Sequence, residues 1–172
     1  MFFSTKIDKK TLNKILYLLK GDDYLIRFRD INEANFSDII NLKLPKGAFC
    51  AQNIYSLAEA WLYHDHTLPY ALYNDDNLVG FIMFDVDEKK RELGIWRLMF
   101  AEEHQNKGFG YETLIKIIKA CLNSKKYDYI YLYCSPINKP AFHLYKKVGF
   151  YETGEIDGEE YVLKYDLKTP AI

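Results

Sequence analysis

The sequence predicts an α/β chain with mixed strand pairing. Apolar residues recur at helical spacing in some stretches and alternate or run together as strands in others. The stretches follow one another as a helix, then β-α-α-β-β-β-α-β-α-β-β. At 172 residues the chain suits one domain with a core of its own.

Lys6 to Lys20 sets Leu12, Ile15, Leu16 and Leu19 on one helical face, and Gly21-Asp22-Asp23 stops the pattern. Tyr24 to Arg29 alternates as a strand. Asp30 to Leu42 reads as a helix with Phe36, Ile39 and Ile40 on one side, broken by Leu44-Pro45-Lys46-Gly47. Ile54 to Tyr63 is a second helix, with Leu57, Ala58 and Trp61 as its stripe. Tyr70 to Tyr73 and Leu78 to Phe84 flank Asn74-Asp75-Asp76-Asn77 as a β-hairpin. Asp85 to Glu92 reads as a charged loop and Leu93 to Ala101 as a longer strand. From near Tyr111, Leu114, Ile117, Ile118 and Cys121 outline an amphipathic helix ending at Lys125-Lys126, where basic residues suit its negative end. Tyr129 to Cys134 is a β-prone run. Ala141, Leu144, Tyr145 and Val148 form the last helical face, with Gly149 placed to cap it. Phe150 to Glu155 and Tyr161 to Leu167 pair around Ile156-Asp157-Gly158.

Composition narrows the function classes. A net charge of −1 gives no reason to expect nucleic acid or an anionic membrane as partner. No run has the length of a membrane span, and the first residues lack the apolar core of a signal peptide. Cys50, Cys121 and Cys134 have no metal-ligand spacing, and their odd number argues against a disulfide framework. The expectation is a reduced, cytoplasmic protein without a metal. His64, His66, His104 and His143 also lack metal spacing, and His64 and His66 read as exposed residues of an Asp-rich turn.

Gln105-Asn106-Lys107-Gly108-Phe109-Gly110 stands between a strand and a helix. Such a turn gathers backbone N–H groups at the positive end of a helix dipole, a cradle for phosphate oxygens. A Walker A loop would need a Ser or Thr after its lysine, and a dinucleotide fingerprint would need glycine where Thr113 stands. A plain tight turn remains open on this segment alone.

The Gln-x-x-Gly-x-Gly pattern resembles the acetyl-CoA signature of the GNAT superfamily of N-acetyltransferases. Asn138-Lys139-Pro140-Ala141-Phe142-His143-Leu144-Tyr145-Lys146-Lys147-Val148-Gly149-Phe150 resembles that superfamily's second signature, Asn-x-x-Ala-x-x-Leu-Tyr-x-x-x-Gly-Phe. Within it, Asn53-Ile54-Tyr55-Ser56-Leu57-Ala58-Glu59-Ala60, Leu78-Val79-Gly80-Phe81-Ile82-Met83, Ile95-Trp96-Arg97-Leu98-Met99 and Thr153-Gly154-Glu155 look like the Blt-type bacterial diamine and spermine/spermidine acetyltransferases. The resemblance implies a GNAT fold over 24–172, with a mixed central sheet splayed between its fourth and fifth strands and helices on its flanks. It leaves 1–23 as an N-terminal helical extension.

The implied reaction is acetyl transfer from acetyl-CoA to a primary amine in a ternary complex, with a polyamine or diamine as acceptor. A peptide N-terminus, a lysine or an aminoglycoside would use the same chemistry, and a non-catalytic acyl-CoA-binding module would use the same cradle. Backbone groups of Asn106, Lys107, Gly108, Phe109, Gly110 and Tyr111 would hold the pyrophosphate, with Gln105 anchoring the turn or reaching a phosphate. Met99, Phe100 and Ala101 would pair with the pantetheine arm. Tyr145 takes the position of the tyrosine that protonates the leaving thiolate; spacing alone reads it first as a packed aromatic, and the match to the second signature reverses that order. Asn138 contacts CoA or caps its helix. Glu59, then Glu33 and Glu155, are the acceptor-binding candidates, each also readable as a solvated charge. No general base is legible: the central strand offers Trp96, Arg97 and Leu98, Glu102 and Glu103 read as exposed loop residues, and a water chain to a backbone carbonyl would serve. Ser135 and Ile137 stand where Blt-type sequences often carry acids, which disfavours a polycation. The resemblance also implies a homodimer.

Overall fold

The computed structural model describes Leu19 and residues 25–49 and 51–171. The helix expected over Lys6 to Lys20 lies outside these residues apart from Leu19, which is helical and buried. The chain runs β1 (Arg27–Arg29), α1 (Phe36–Ile40), α2 (Asn53–Leu62), β2 (Thr67–Asn74), β3 (Asn77–Asp87), β4 (Glu92–Phe100), a 3-10 turn (Glu102–His104), α3 (Phe109–Ser124), β5 (Tyr129–Cys134), α4 (Lys139–Val148), β6 (Tyr151–Asp157) and β7 (Glu160–Asp166). Over the described residues the element order is the expected one. Among them no helix is long and apolar enough to cross a membrane.

Three local expectations need correction. The helix expected over Asp30 to Leu42 shrinks to five residues. Asn32 and Asn35 explain the delay: Asn35 Oδ1 accepts from the Asn32 N–H (2.9 Å) and Asn32 Oδ1 from the Ala34 N–H (2.9 Å), so side chains build a turn where the helix would start. The charged loop expected over Asp85 to Glu92 is half strand, a four-residue turn over 88–91, since β3 runs to Asp87 and β4 begins at Glu92. Its acids are tied down: Lys126 Nζ meets Glu88 and Lys164 Nζ meets Glu92, each at 2.7 Å. The hairpin turn is two residues rather than four, because Asn74 pairs with Asn77 and Asp75 takes a left-handed φ of +52°.

The seven strands form one sheet in the order β1-β2-β3-β4-β5-β7-β6. All pairings are antiparallel except β4–β5. Strand alternation sends apolar side chains to both faces. Phe28, Tyr70, Ile82, Phe84, Ile95, Ile130 and Leu163 pack under α3 and α4 with Leu114, Ile117, Ile118, Tyr145 and Val148. On the other face Ala71, Tyr73, Phe81, Met83 and Met99 pack under α1 and α2 with Ile39 and Ala60. One cation is buried within the first layer. Lys116 is 1% exposed; its Nζ donates to Ile26 O (3.0 Å) and lies 5.6 Å from the Phe28 ring centroid. That contact ties the chain around β1 to α3.

The β4–β5 junction decides where a ligand can enter. These strands pair in parallel over only three positions, Glu92↔Tyr129, Leu93↔Ile130 and Gly94↔Tyr131, and then part. A β-bulge falls just beyond. Met83 pairs with Arg97 and Phe84 with Ile95, leaving Trp96 as the extra residue. The bulge turns Trp96 and Arg97 toward the same face, that of α1 and α2: Trp96 packs with the second cluster and Arg97 meets Glu59 of α2.

Candidate active site

Beyond Gly94 the divergence of β4 and β5 leaves a slot through the sheet. The glycine turn lies at the β4 end of this slot, on the α3 side. Gly108 is the N-cap of α3 with φ +84°, a left-handed conformation that suits glycine, and a Cβ built there would meet nothing within 4 Å. The first backbone bond of the helix runs from the Glu112 N–H to Gly108 O (3.1 Å), so the N–H groups of Phe109, Gly110 and Tyr111 precede it as the helix's unmatched donors. The helix N-terminus is therefore uncapped by a side chain and open at Gly108. The helix starts at Phe109, two residues earlier than the apolar pattern from Tyr111 indicates.

Gln105 anchors the turn: its Nε2 donates to Phe100 O (3.1 Å). Ala101 sends its N–H to Val79 O of the neighbouring strand side (2.9 Å), so by strand alternation Met99 also faces β3, and Phe100 and Leu98 turn their main-chain groups toward the slot. Of Met99, Phe100 and Ala101, Phe100 is thus the one whose backbone borders the gap. Asn106 has φ +59°, and Lys107 is exposed.

The two signature segments touch. A Cβ at Gly110 would lie 2.9 Å from Leu144 Cδ2 of α4, so glycine lets the start of α3 close on α4. Asn138 caps α4, its Oδ1 accepting from the Ala141 N–H at 3.4 Å, and Gly149 closes the helix with φ +111°. Between these caps Tyr145 is buried under the sheet, its ring 5.8 Å from that of Phe150. It stands on the same face as the cradle. Cys134 ends β5 on this face too, and burial, with Glu160 adding, pushes its thiol up to about 11.

The opposite face of the slot is aromatic and charged. Arg97 is ion-paired to Glu59 (Nη2–Oε2, 3.1 Å), its Nη1 donates to Trp96 O (3.0 Å), and its guanidinium lies 5.3 Å from the Trp96 ring centroid. Its Nε is buried without a partner. Glu59 therefore lies at the slot but already faces a cation. Glu33 and Glu155 are exposed, Glu33 in the turn before α1 and Glu155 on β6. Glu102 and Glu103 are exposed as expected, in the 3-10 turn. Tyr133 of β5 is 42% exposed here. Its phenol is raised first by burial and then by the negative charges of Asp157, Asp85 and Glu155, with Lys90 opposing.

Sequence reasoning missed one group. His66 is not an exposed turn residue: its side chain is 24% exposed and Nδ1 lies 2.7 Å from Asp85 Oδ1. The other carboxylate oxygen accepts from Tyr131 OH at 2.5 Å. Tyr131 reaches β3 by crossing β4 at Gly94, where a Cβ would stand 2.6 Å from its Cζ. Burial, then the bond to Asp85, pushes its phenol far above the ordinary range, so it stays a donor. Asp85 was hidden by its charged surroundings. A His immediately preceding a β-prone run, one register step from an acid at the end of the next strand, was the available signal.

Comparison with known proteins agrees with this geometry. The acetyltransferase (GNAT) family pattern matches residues 30–150. A spermine/spermidine N(1)-acetyltransferase of Bacillus subtilis is 34% identical over 56% of this chain and 68% of its own length. The SPbeta prophage-derived N-acetyltransferase YokL of the same organism is 26% identical over 84% of this chain and 79% of its own. Among solved structures, spermidine N-acetyltransferase from Vibrio cholerae with CoA and spermine superposes with TM-score 0.61 at 21% identity, covering 81% of this chain and 93% of that one. RimJ of Mycobacterium smegmatis with CoA-disulfide gives 0.65 at 16%, covering 84% and 83%.

Proposed function

This chain belongs to the acetyltransferase (GNAT) family of N-acetyltransferases, and on that premise we propose that it transfers an acetyl group from acetyl-CoA directly to a primary amine of a polyamine or diamine. The observation that carries the reading is the slot between β4 and β5, with an open helix N-terminus and a buried tyrosine on one face and an aromatic wall holding the Arg97–Glu59 pair on the other. The pyrophosphate rests on the N–H groups opening α3. The pantetheine amides run along β4 past Phe100 and Leu98, and a backbone N–H freed at the Trp96 bulge polarises the thioester carbonyl. Tyr145 protonates the thiolate as it leaves. A phenol is a slightly weaker acid than a thiol, so its proton moves only as negative charge develops on the departing sulfur, and solvent then reprotonates the phenolate.

The polyamine acceptor is supported by the 34% identical spermine/spermidine acetyltransferase and by the exposed ring of Tyr133, since aromatic faces suit ammonium groups. One observation favours a second acceptor. The Arg97–Glu59 pair places a guanidinium at the slot, which fits a less cationic amine such as a peptide N-terminus. Free-thiol release from acetyl-CoA across polyamines, peptides and aminoglycosides tests both. Fastest turnover of spermine or spermidine supports the first; a peptide preferred over every polyamine replaces it with the second. Self-association is part of the reading, since Tyr55, Trp61 and Leu62 are exposed on α2 and a spermidine N-acetyltransferase of Vibrio cholerae is dodecameric. Light scattering on the purified protein measures it.

A further inference from the structure

We propose that the Tyr131 ring is the stop that limits the transferred acyl group to acetyl; this rests on the acetyltransferase reading above but on no particular amine. Asp85, Gly94 and Tyr131 stand in one row across β3, β4 and β5. Gly94 and Tyr131 are also the last pair before β4 and β5 part, so this row closes the slot. Ile130 and Leu132, the neighbours of Tyr131 on β5, point into the α3–α4 core, so Tyr131 takes the opposite face. β3 and β5 lie two strand spacings apart, about 9.5 Å. The tyrosine bridges them by lying across β4, where only a glycine leaves it room. Its hydroxyl is fixed to Asp85 Oδ2 at 2.5 Å, and the other carboxylate oxygen lies 2.7 Å from His66 Nδ1. The Tyr133 ring meets it edge-on at 6.0 Å. The ring is therefore pinned at the closed end of the slot.

The donor enters from the other end. Gln105 Nε2 on Phe100 O (3.1 Å) and a Phe100–Phe109 ring separation of 6.2 Å set the start of α3 beside Phe100. From Phe100 back to Gly94 the strand advances about 17 Å, because the bulge at Trp96 takes one residue without a rise. The arm of CoA from phosphate to sulfur is as long as about four extended residues, roughly 14 Å. An acetyl group brings its leading end to roughly 16 Å and a butyryl group to roughly 18 Å. The acyl group travels at the head of the arm and so ends at the closing row. On the α3–α4 side Ile95 and Leu132 fill the core, 4% and 1% exposed. A longer acyl chain can leave only toward α1 and α2, and there the Tyr131 ring lies against Gly94. The bond to Asp85 keeps that ring from swinging aside.

The test compares acetyl-CoA with butyryl-CoA as donors, using whichever amine the unaltered enzyme acetylates fastest. The unaltered enzyme should favour acetyl-CoA in kcat/KM by about 10–200-fold, the cost of an ill-fitting methylene in a pocket. Tyr131→Ala should cut that preference by about tenfold or more, because butyryl gains the space the ring held. Tyr131→Phe keeps a ring over Gly94 and should retain the preference. Tyr131→Leu takes the place of Tyr131→Ala if the latter does not fold. Calorimetric binding of the two thioesters without amine should show the same order and the same change. An unaltered enzyme that uses both donors equally well overturns the stop without any variant. So does a Tyr131→Ala enzyme slowed equally with both donors, the mark of a purely structural role, or a Tyr131→Phe enzyme as permissive as Tyr131→Ala. A protein that binds the thioesters but acylates no amine refutes the proposed function, and its binding ratio still judges Tyr131.

Discussion

Gly94→Ala is the substitution whose effect can be worked most directly from the structure. The added Cβ would lie 2.6 Å from Tyr131 Cζ and 2.7 Å from its hydroxyl oxygen, against an ordinary carbon contact of about 3.5–4.0 Å. The ring must move by roughly 1 Å, which pulls its hydroxyl from the 2.5 Å bond to Asp85. A lost bond to a charged group costs about 1.5–3 kcal/mol. Overpacking adds about 1–3 kcal/mol, and the stiffer unfolded chain returns about 0.4–1. The net loss is about 2–5 kcal/mol, a fall in Tm of roughly 4–20 °C for a chain of this size. Urea titration and thermal circular dichroism measure it. Tyr131→Leu removes the obstructed ring, so Gly94→Ala should cost far less in that background. Equal costs in both backgrounds, to within about 0.5 kcal/mol, would refute the clash as the cause.

Tyr145→Phe keeps the packing against Phe150. It should hold Tm to within about 4 °C while kcat falls about 10²–10⁴; full activity with an unchanged pH profile would remove the phenol from the chemistry. Gly108→Ala forces a methyl-bearing residue to φ +84°. It should cost about 1–2 kcal/mol and raise the dissociation constant for CoA by calorimetry, whereas unaltered binding would move the phosphate site elsewhere. For the acceptor, Asp157→Asn should raise the spermine KM about 1.5–5-fold, the 0.2–1 kcal/mol typical of an exposed charge. Glu59→Gln should not, because Arg97 already faces that carboxylate; the reverse order in steady-state kinetics would return the cation to α2.

The parts legible in the sequence were those with a local cause. Tyr129 to Cys134 is β-prone throughout, and its strand bounds match residue for residue. Gly149 follows an apolar helical face and does cap it. The tight turn into α3 was readable because glycine spacing fixes backbone conformation, and Gly108 does take a left-handed φ. The His66–Asp85–Tyr131 group was not, because its members come from the segment before β2, from β3 and from β5, and only sheet register brings them together. The Glu59–Arg97 pair escaped for a related reason: a single extra residue at Trp96 decides which face Arg97 occupies, and periodicity cannot show a bulge. Charged stretches misled as well. Asp85 to Glu92 looked solvated, yet Glu88 and Glu92 each find a lysine from a distant element.

The brevity of the β4–β5 ladder bears on how the protein holds together. Three residue pairs are all that join strands β1–β4 to strands β5–β7 within the sheet. Mechanically this is a seam, and a cofactor arm lying in the slot would extend the three rungs that cross it. Saturating CoA should then raise global stability by RT ln(1 + [L]/Kd), about 2.7 kcal/mol at a hundredfold excess over Kd. The slowing of amide exchange should concentrate at Leu93, Gly94, Ile130 and Tyr131, so the ligand would serve as mortar between two half-sheets as well as reactant.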